Sequence, residues 1–168
     1  MQQEFVLGAR SKQRLASCHP DLIEVVELAI QLTTVDFAVL ETVRSEARQK
    51  RLFQRARSKT LNSRHLPKVP RNQPEIGRVS HAVDLGAWVN GAVDLDDWSH
   101  CFEIANSVKA AAGLLGVPIR WGGCWALLDQ YENAEQAHSA YIERKKAAGK
   151  EPFPDGAHFE LDWGAYPV

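Results

Sequence analysis

The sequence predicts an α+β domain with a small antiparallel sheet and flanking helices. Two observations carry that expectation. Residues with helical apolar spacing and short apolar runs of strand type both occur, and they intermix without a regular βαβ rhythm. Leu22, Val25, Val26, Ala29 and Ile30 follow one helical face, and Pro20 suits a first turn, so residues 20–31 read as a helix. Residues 37–43 read as a strand, and residues 45–57 as a basic helix. From residue 60 to 79, Pro67, Pro70, Pro74 and Gly77 mark a long loop. Loops of more than about a dozen residues in a compact domain are uncommon and often functional, so this one is expected as a lid or groove wall, or as slack. Residues 82–89 read as a second strand turned at Asn90-Gly91. Asp94 is placed as the cap of a helix with Trp98, Phe102, Ala105 and Ala112 on its inner face, ending near Gly116 and Pro118. Residues 119–122 form a short strand, Asn133 with Gln136 resembles a capping box for a helix ending at Gly149, and residues 158–163 make the last strand.

At 168 residues the chain suits one domain, residues 1–168, with no room for a second sizeable module. Hydrophobic residues at 45% and charged residues at 24% are ordinary globular values, which point to neither disorder nor a membrane span. Met1-Gln2-Gln3-Glu4-Phe5 lacks the basic start and apolar run of a signal peptide. Cys18, Cys101 and Cys124 are odd in number and widely spaced, so reduced, mostly buried thiols are expected. A net charge of −1 argues against a nucleic-acid binder. Charge is uneven, however: residues 44–71 hold ten Lys or Arg against the single acid Glu46. That segment is either a solvated face or an attraction to an anionic envelope, whether phosphate-rich outer-membrane lipid or wall carboxylates.

Three short motifs carry chemistry: Ser63-Arg64-His65, Ala82-Val83-Asp84 and Asp155-Gly156-Ala157-His158. A catalytic zinc site takes three protein ligands and leaves a fourth position for water. His65, Asp84 and His158 fit the ligand roles for Zn²⁺. Asp155, on the turn before the last imidazole, is the candidate general base. His19, His100 and His138 stand outside any ligand spacing and are read as surface or helix-end residues. Trp88 and Trp163 follow the ligands closely, and core packing is preferred for both over a substrate wall.

These motifs resemble the zinc peptidases of the VanY and VanX type, with the nearest likeness to phage endolysins that cut the L-alanyl-D-glutamate bond of peptidoglycan. Ser11 to Leu15, His19-Pro20-Asp21-Leu22, Asp36-Phe37, Arg44 and Arg120-Trp121-Gly122-Gly123 with Trp125 fall in the order seen there, so the likeness spans nearly the whole chain. The resemblance implies the Hedgehog/DD-peptidase type of fold. It also implies metal-assisted hydrolysis of the stem peptide, with Asp155 as base and Arg44, near Gln49, binding substrate or the developing oxyanion. Asp rather than Glu before the last His favours the L-alanyl-D-glutamate bond. Rival readings are a D,D- or L,D-carboxypeptidase and an inactive zinc-stabilised wall-binding module. A monomer is expected, made in the host cytoplasm and acting on the periplasmic wall after holin-type release. Two departures stand out. The residues between His65 and Asp84 far exceed the family's usual six, which makes His81 a rival first ligand, although His65 is preferred. Cys124 stands where relatives commonly carry Asp, and a buried apolar filler is preferred for it. Ser63 is read as supporting the site or ending a turn.

Overall fold

Residues 4–168 are described by a computed structural model, so residues 1–3, on which part of the signal-peptide reading rests, lie outside the described residues. The helices are α1 (Ala9–Leu15), α2 (Pro20–Leu32), α3 (Glu46–Gln54), α4 (Trp98–Leu115) and α5 (Ala134–Ala147). The strands are β1 (Phe37–Glu41), β2 (Ala82–Val89), β3 (Ala92–Asp94), β4 (Ile119–Trp121), β5 (Ala126–Leu127) and β6 (His158–Leu161). They form one antiparallel sheet in the order β1-β2-β6-β4-β5, with β3 hairpinned onto β2. None of the described helices is long and apolar enough to cross a membrane.

Strand alternation gives the sheet two unlike faces. Val83, Leu85, Phe159, Leu161, Ile119 and Trp121 point to one side and are buried in the core. They meet α2 and α4, which pack on each other and supply Leu22, Val25, Val26, Ile104, Ala105 and Val108. The intervening residues Asp84, Arg120, His158 and Glu160 share the other face, because register pairs Asp84 with His158 and Arg120 with Glu160. That polar face carries the ligand candidates Asp84 and His158.

Local chemistry explains the element ends. Pro20 opens α2, and the His19 ring accepts the Asp21 N–H at 3.2 Å. Asn133 accepts the Gln136 N–H at 2.8 Å while Gln136 Oε1 accepts the Glu132 N–H at 2.8 Å, a near relative of the expected capping box. Asn90 and Gly91, at φ 51° and 80°, make the hairpin turn that an Asn-Gly pair favours.

Several expectations shift. The cap of α4 is Asp97, which accepts the Ser99 N–H at 2.9 Å; Asp94 ends β3 and accepts from Asp96 instead. With acids at 94, 96 and 97, only the hairpin return decides between them. The first strand stops at Glu41 rather than 43, because the Thr42 carbonyl turns to the His65 ring and Ser80 hydroxyl. The basic helix ends at Gln54, before Ala56 at φ 54°. The last strand ends at Leu161, since the Asp162 carboxylate accepts the Gly164 and Ala165 N–H groups in a turn. Helix α1 and strands β3 and β5 carry no expectation in the sequence; they are short, and α1 buries only Ser11 and Leu15.

Candidate metal centre and active site

Paired strands bring Asp84 of β2 and His158 of β6 side by side. His65 arrives from outside the sheet. Its backbone N–H is held by Ser63 Oγ at 3.2 Å, so Ser63 does support the site, through the backbone rather than a ligand ring. The Arg44 N–H donates to the His65 carbonyl at 2.9 Å, tying the segment to the end of β1.

Three atoms converge. His65 Nε2 lies 3.1 Å from Asp84 Oδ1 and 3.2 Å from His158 Nδ1, and His158 Nδ1 lies 3.3 Å from Asp84 Oδ1. Two ligands on a tetrahedral zinc with bonds near 2.0–2.1 Å stand roughly 3.3 Å apart, so this triangle matches one face of such a tetrahedron. The other ring nitrogens fix the tautomers. His65 Nδ1 donates to the Thr42 carbonyl at 2.7 Å, and His158 Nε2 donates to Glu160 Oε2 at 2.7 Å, which leaves Nε2 of one and Nδ1 of the other as lone pairs facing Asp84. Two lone pairs and a carboxylate oxygen in mutual contact require a positive charge among them. The donor set therefore fits a divalent cation.

Electrostatics agree. Burial alone would raise the Asp84 carboxyl, yet the His65 and His158 rings hold it far below the ordinary range. Burial would lower His158, but Asp84 and Glu160 overcome it and push the imidazole up to about 10. The charge those carboxylates favour can be supplied by a proton or by a metal. Glu160 is kept low, against its burial, by His158, Arg120 and Trp163.

Asp155 lines the same cleft, and its carboxyl is raised first by burial and then by the negative charge of Asp84. Its place depends on Gly122: a Cβ there would collide with the Asp155 carbonyl oxygen and sit 3.0 Å from the His158 Cβ. Backbone bonds lock the contact, with Asp155 N–H to the Gly122 carbonyl at 2.9 Å and Gly122 N–H to the His158 carbonyl at 2.8 Å.

Arg44 reaches the cluster from the rim. Its Nε donates to Glu41 at 2.6 Å, its Nη1 to Gln49 at 2.7 Å, and its Nη2 stands 3.8 Å from Asp84 Oδ2. Gln49 is buried and also donates to Ser58 Oγ and the Thr60 carbonyl, so it ties Arg44 to the cleft wall.

Other expected residues fall elsewhere. His81 lies apart from the three-residue cluster; its ring is 5.5 Å from that of His19, and burial, with Arg64 and His19 nearby, depresses it to about 4. His19 is a helix-end residue, but fully buried. His138 is half-buried in the second turn of α5, stacked at 4.3 Å on Trp98. His100 faces Asp94 and Asp97 at the start of α4, a partly exposed group whose carboxylates serve local caps. Core packing fails for both tryptophans. Trp88 is 45% exposed at the hairpin end of β2, and Trp163 lies against the Arg64 guanidinium at 4.4 Å and bonds Glu160. Cys18, Cys101 and Cys124 are free and buried. Only the start of the long loop, Thr60 and Asn62 to His65, lines the cleft; its proline-bearing remainder does not. Lys68 and Val79 pair with each other, Arg71 bonds the Pro167 carbonyl, and the wall comes instead from residues 57–65 and 151–155.

Two contributors have roles that sequence reasoning did not assign, although Trp125 belongs to the motif that carries the resemblance. Glu160, two residues after His158 on one strand, shares its face, and that spacing was the available signal. Trp125 sits at φ 49°, a left-handed conformation costing an aromatic residue about 1–2 kcal/mol. Its ring lies 5.4 Å from that of His158, and its Nε1 donates to the Phe153 carbonyl at 2.7 Å. Strain beside the cluster marks it as a cleft wall held in place.

The cleft measures about 850 Å³ and runs from Arg44 past His158 and Trp125 to Tyr141 and Lys145. A family model described as phage L-alanyl-D-glutamate peptidase matches residues 3–161. The chain is 24% identical over 157 residues to the L-alanyl-D-glutamate peptidase of Escherichia phage T5, covering 94% of this chain and 98% of that protein. It also superposes on the crystal structure of the Serratia marcescens L-Ala D-Glu endopeptidase ChiX with a TM-score of 0.70 and 32% identity, covering 98% of this chain and 96% of the other.

Proposed function

Since the chain belongs to the phage L-alanyl-D-glutamate peptidase family, we propose that it is a phage endolysin that hydrolyses the bond between L-Ala and D-Glu in the peptidoglycan stem peptide. His65, Asp84 and His158 would hold one Zn²⁺, and the observation that carries this is their triangle of donor atoms opening into the cleft. When bound, zinc supplies a Lewis acid that polarises a carbonyl and acidifies water near neutral pH.

The protein's own groups do the rest. Asp155, raised above the ordinary carboxylate range, takes a proton from the attacking water and returns it to the leaving amine of D-Glu. Arg44, fixed by Glu41 and Gln49, places positive charge where the tetrahedral oxyanion forms or holds a substrate carboxylate. Glu160 and the Thr42 carbonyl orient the two imidazoles, and Trp125 closes one wall against water. The wall lies beyond the inner membrane, so action there follows release through a holin-type partner. Lysis of cells that express the chain with a holin, and none without, tests that step.

Digestion of purified sacculi, read by mass spectrometry, tests the reaction. Fragments with a new amino terminus at D-Glu are expected from wild type, and their loss is expected with a chelator or in His65→Ala. Release of D-Ala alone would assign the chain to the carboxypeptidases. Wall binding without any fragment would make it an inactive module.

A further inference from the structure

We propose that the arm of the cleft beyond Trp125 is a carboxylate subsite, in which Lys59 and Lys145 read an acidic group on the third residue of the stem peptide. This rests on the peptidase reading above. Phe153 and Tyr141 form the floor of that arm. The Phe153 backbone is held at both ends, its N–H by the Tyr141 hydroxyl at 3.0 Å and its carbonyl by Trp125 Nε1 at 2.7 Å. Lys59 Nζ stands 4.9 Å from the Phe153 ring centre, and Lys145 Nζ stands 5.7 Å from that of Tyr141. All four residues line the cleft.

Arg44 and Arg48 share the Glu41 carboxylate and Arg120 pairs with Glu160, so these three lining cations have a counter-charge nearby. Among the described residues, neither Lys59 nor Lys145 has a carboxylate within 4.0 Å, and the one acid of the arm, Glu151, forms no ion pair with them. Two ammonium groups over aromatic faces, in a concave site without a counter-ion, suit an anionic ligand group.

The substrate narrows the choice. D-Glu is joined onward through its side chain, so its own α-carboxylate stays beside the scissile bond, near Arg44 and the ligand cluster. A carboxylate one residue further on reaches past Trp125. Walls whose third residue is diaminopimelate carry that group, whereas walls with lysine there lack it. The subsite therefore selects the diaminopimelate type. It also gives part of the basic 44–71 segment a role, since Arg57 and Lys59 line the cleft while Lys50 does not.

The test uses two synthetic stem peptides that differ only in diaminopimelate or lysine at the third residue. For wild type, KM is expected to be roughly tenfold lower for the diaminopimelate peptide, the worth of one well-placed charged hydrogen bond. In Lys59→Met with Lys145→Met that ratio collapses toward one with kcat little changed, Lys59→Arg restores it in part, and Lys50→Met leaves it intact. No discrimination by wild type overturns the proposal, as does an equal loss on both peptides. So does a double variant that keeps the ratio but loses binding to phosphatidylglycerol vesicles, which would make the lysines a membrane patch. If wild type cleaves neither peptide, the peptidase reading fails, and the subsite is judged separately by tryptophan quenching with a γ-D-Glu-diaminopimelate dipeptide. Quenching lost in the double variant supports it; equal quenching refutes it.

Discussion

Asp155, the proposed general base, sits where its charge works against stability. Its carboxyl is raised in the folded state, first by burial and then by Asp84, so the fold disfavours its ionised form. The resulting penalty is absent below the ordinary Asp range near 3.9 and grows as pH rises through and above it. Asp155→Asn is therefore expected to lose hydrolysis while chelator-treated protein melts at an equal or higher temperature at pH 7, an advantage that vanishes in acid. A lower Tm at pH 7 would mean that the carboxylate is structural. The acid limb of wild-type kcat/KM should fall above the ordinary Asp range. Glu160 acts at one remove, through the His158 ring. Glu160→Gln keeps a hydrogen-bond acceptor but removes the charge, and zinc affinity measured against a chromophoric chelator should drop roughly 10- to 100-fold. An unchanged affinity would show that Glu160 does not tune the ligand. His65, Asp84, His158 and Asp155 could be singled out in the sequence because their motifs are short and chemically distinctive. Glu160 could not, and Trp125 only as part of a family motif, since a strand partner and a strained ring acquire meaning only once β6 and the cleft exist.

Elements place these groups by register. A one-residue slip of β6 against β2 would carry His158 into the core and Phe159 into the cleft, so the apolar residues Val83, Leu85, Phe159 and Leu161 hold the site as firmly as its ligands do. Gly122, just past β4, is a tight point of that arrangement, lying against both Asp155 and His158. Gly122→Ala should push the Asp155 turn outward, at a cost of about 1–3 kcal/mol for overpacking and at least a tenfold loss of activity. Retained activity in a folded variant would show that the close approach is dispensable. The long elements α2, α4, α5 and β2 were legible because each has a strong apolar pattern or a cap. Helix α1 and strands β3 and β5 are held by tertiary partners, as when Ser11 Oγ accepts the Val39 N–H at 3.0 Å, and single-sequence periodicity carries no trace of such bonds. The loop before Asp84 lines the cleft only at its start, and its later part misled for a related reason. Prolines mark irregular backbone, but not where the Lys68 and Val79 pairing sends it.

At the scale of the molecule, one sheet separates a dry face from a chemical one. The dry face centres on Trp121, fully buried and packed edge-on to Trp98 and Phe102. Trp121→Ala should cost about 3–5 kcal/mol in denaturant unfolding with little change in slope, and a loss below about 1 kcal/mol would place the core elsewhere. On the chemical face rests the proposal that one cation, held by residues far apart in the chain, lets the cleft cut a peptide. Stripping the protein of metal and restoring zinc stepwise, while counting amino groups released from purified sacculi, measures that claim directly. Cleavage should be absent at the start, rise linearly and level off at one equivalent per chain, with no recovery in His65→Ala. Full cleavage by the stripped protein, or full recovery in that variant, would contradict it.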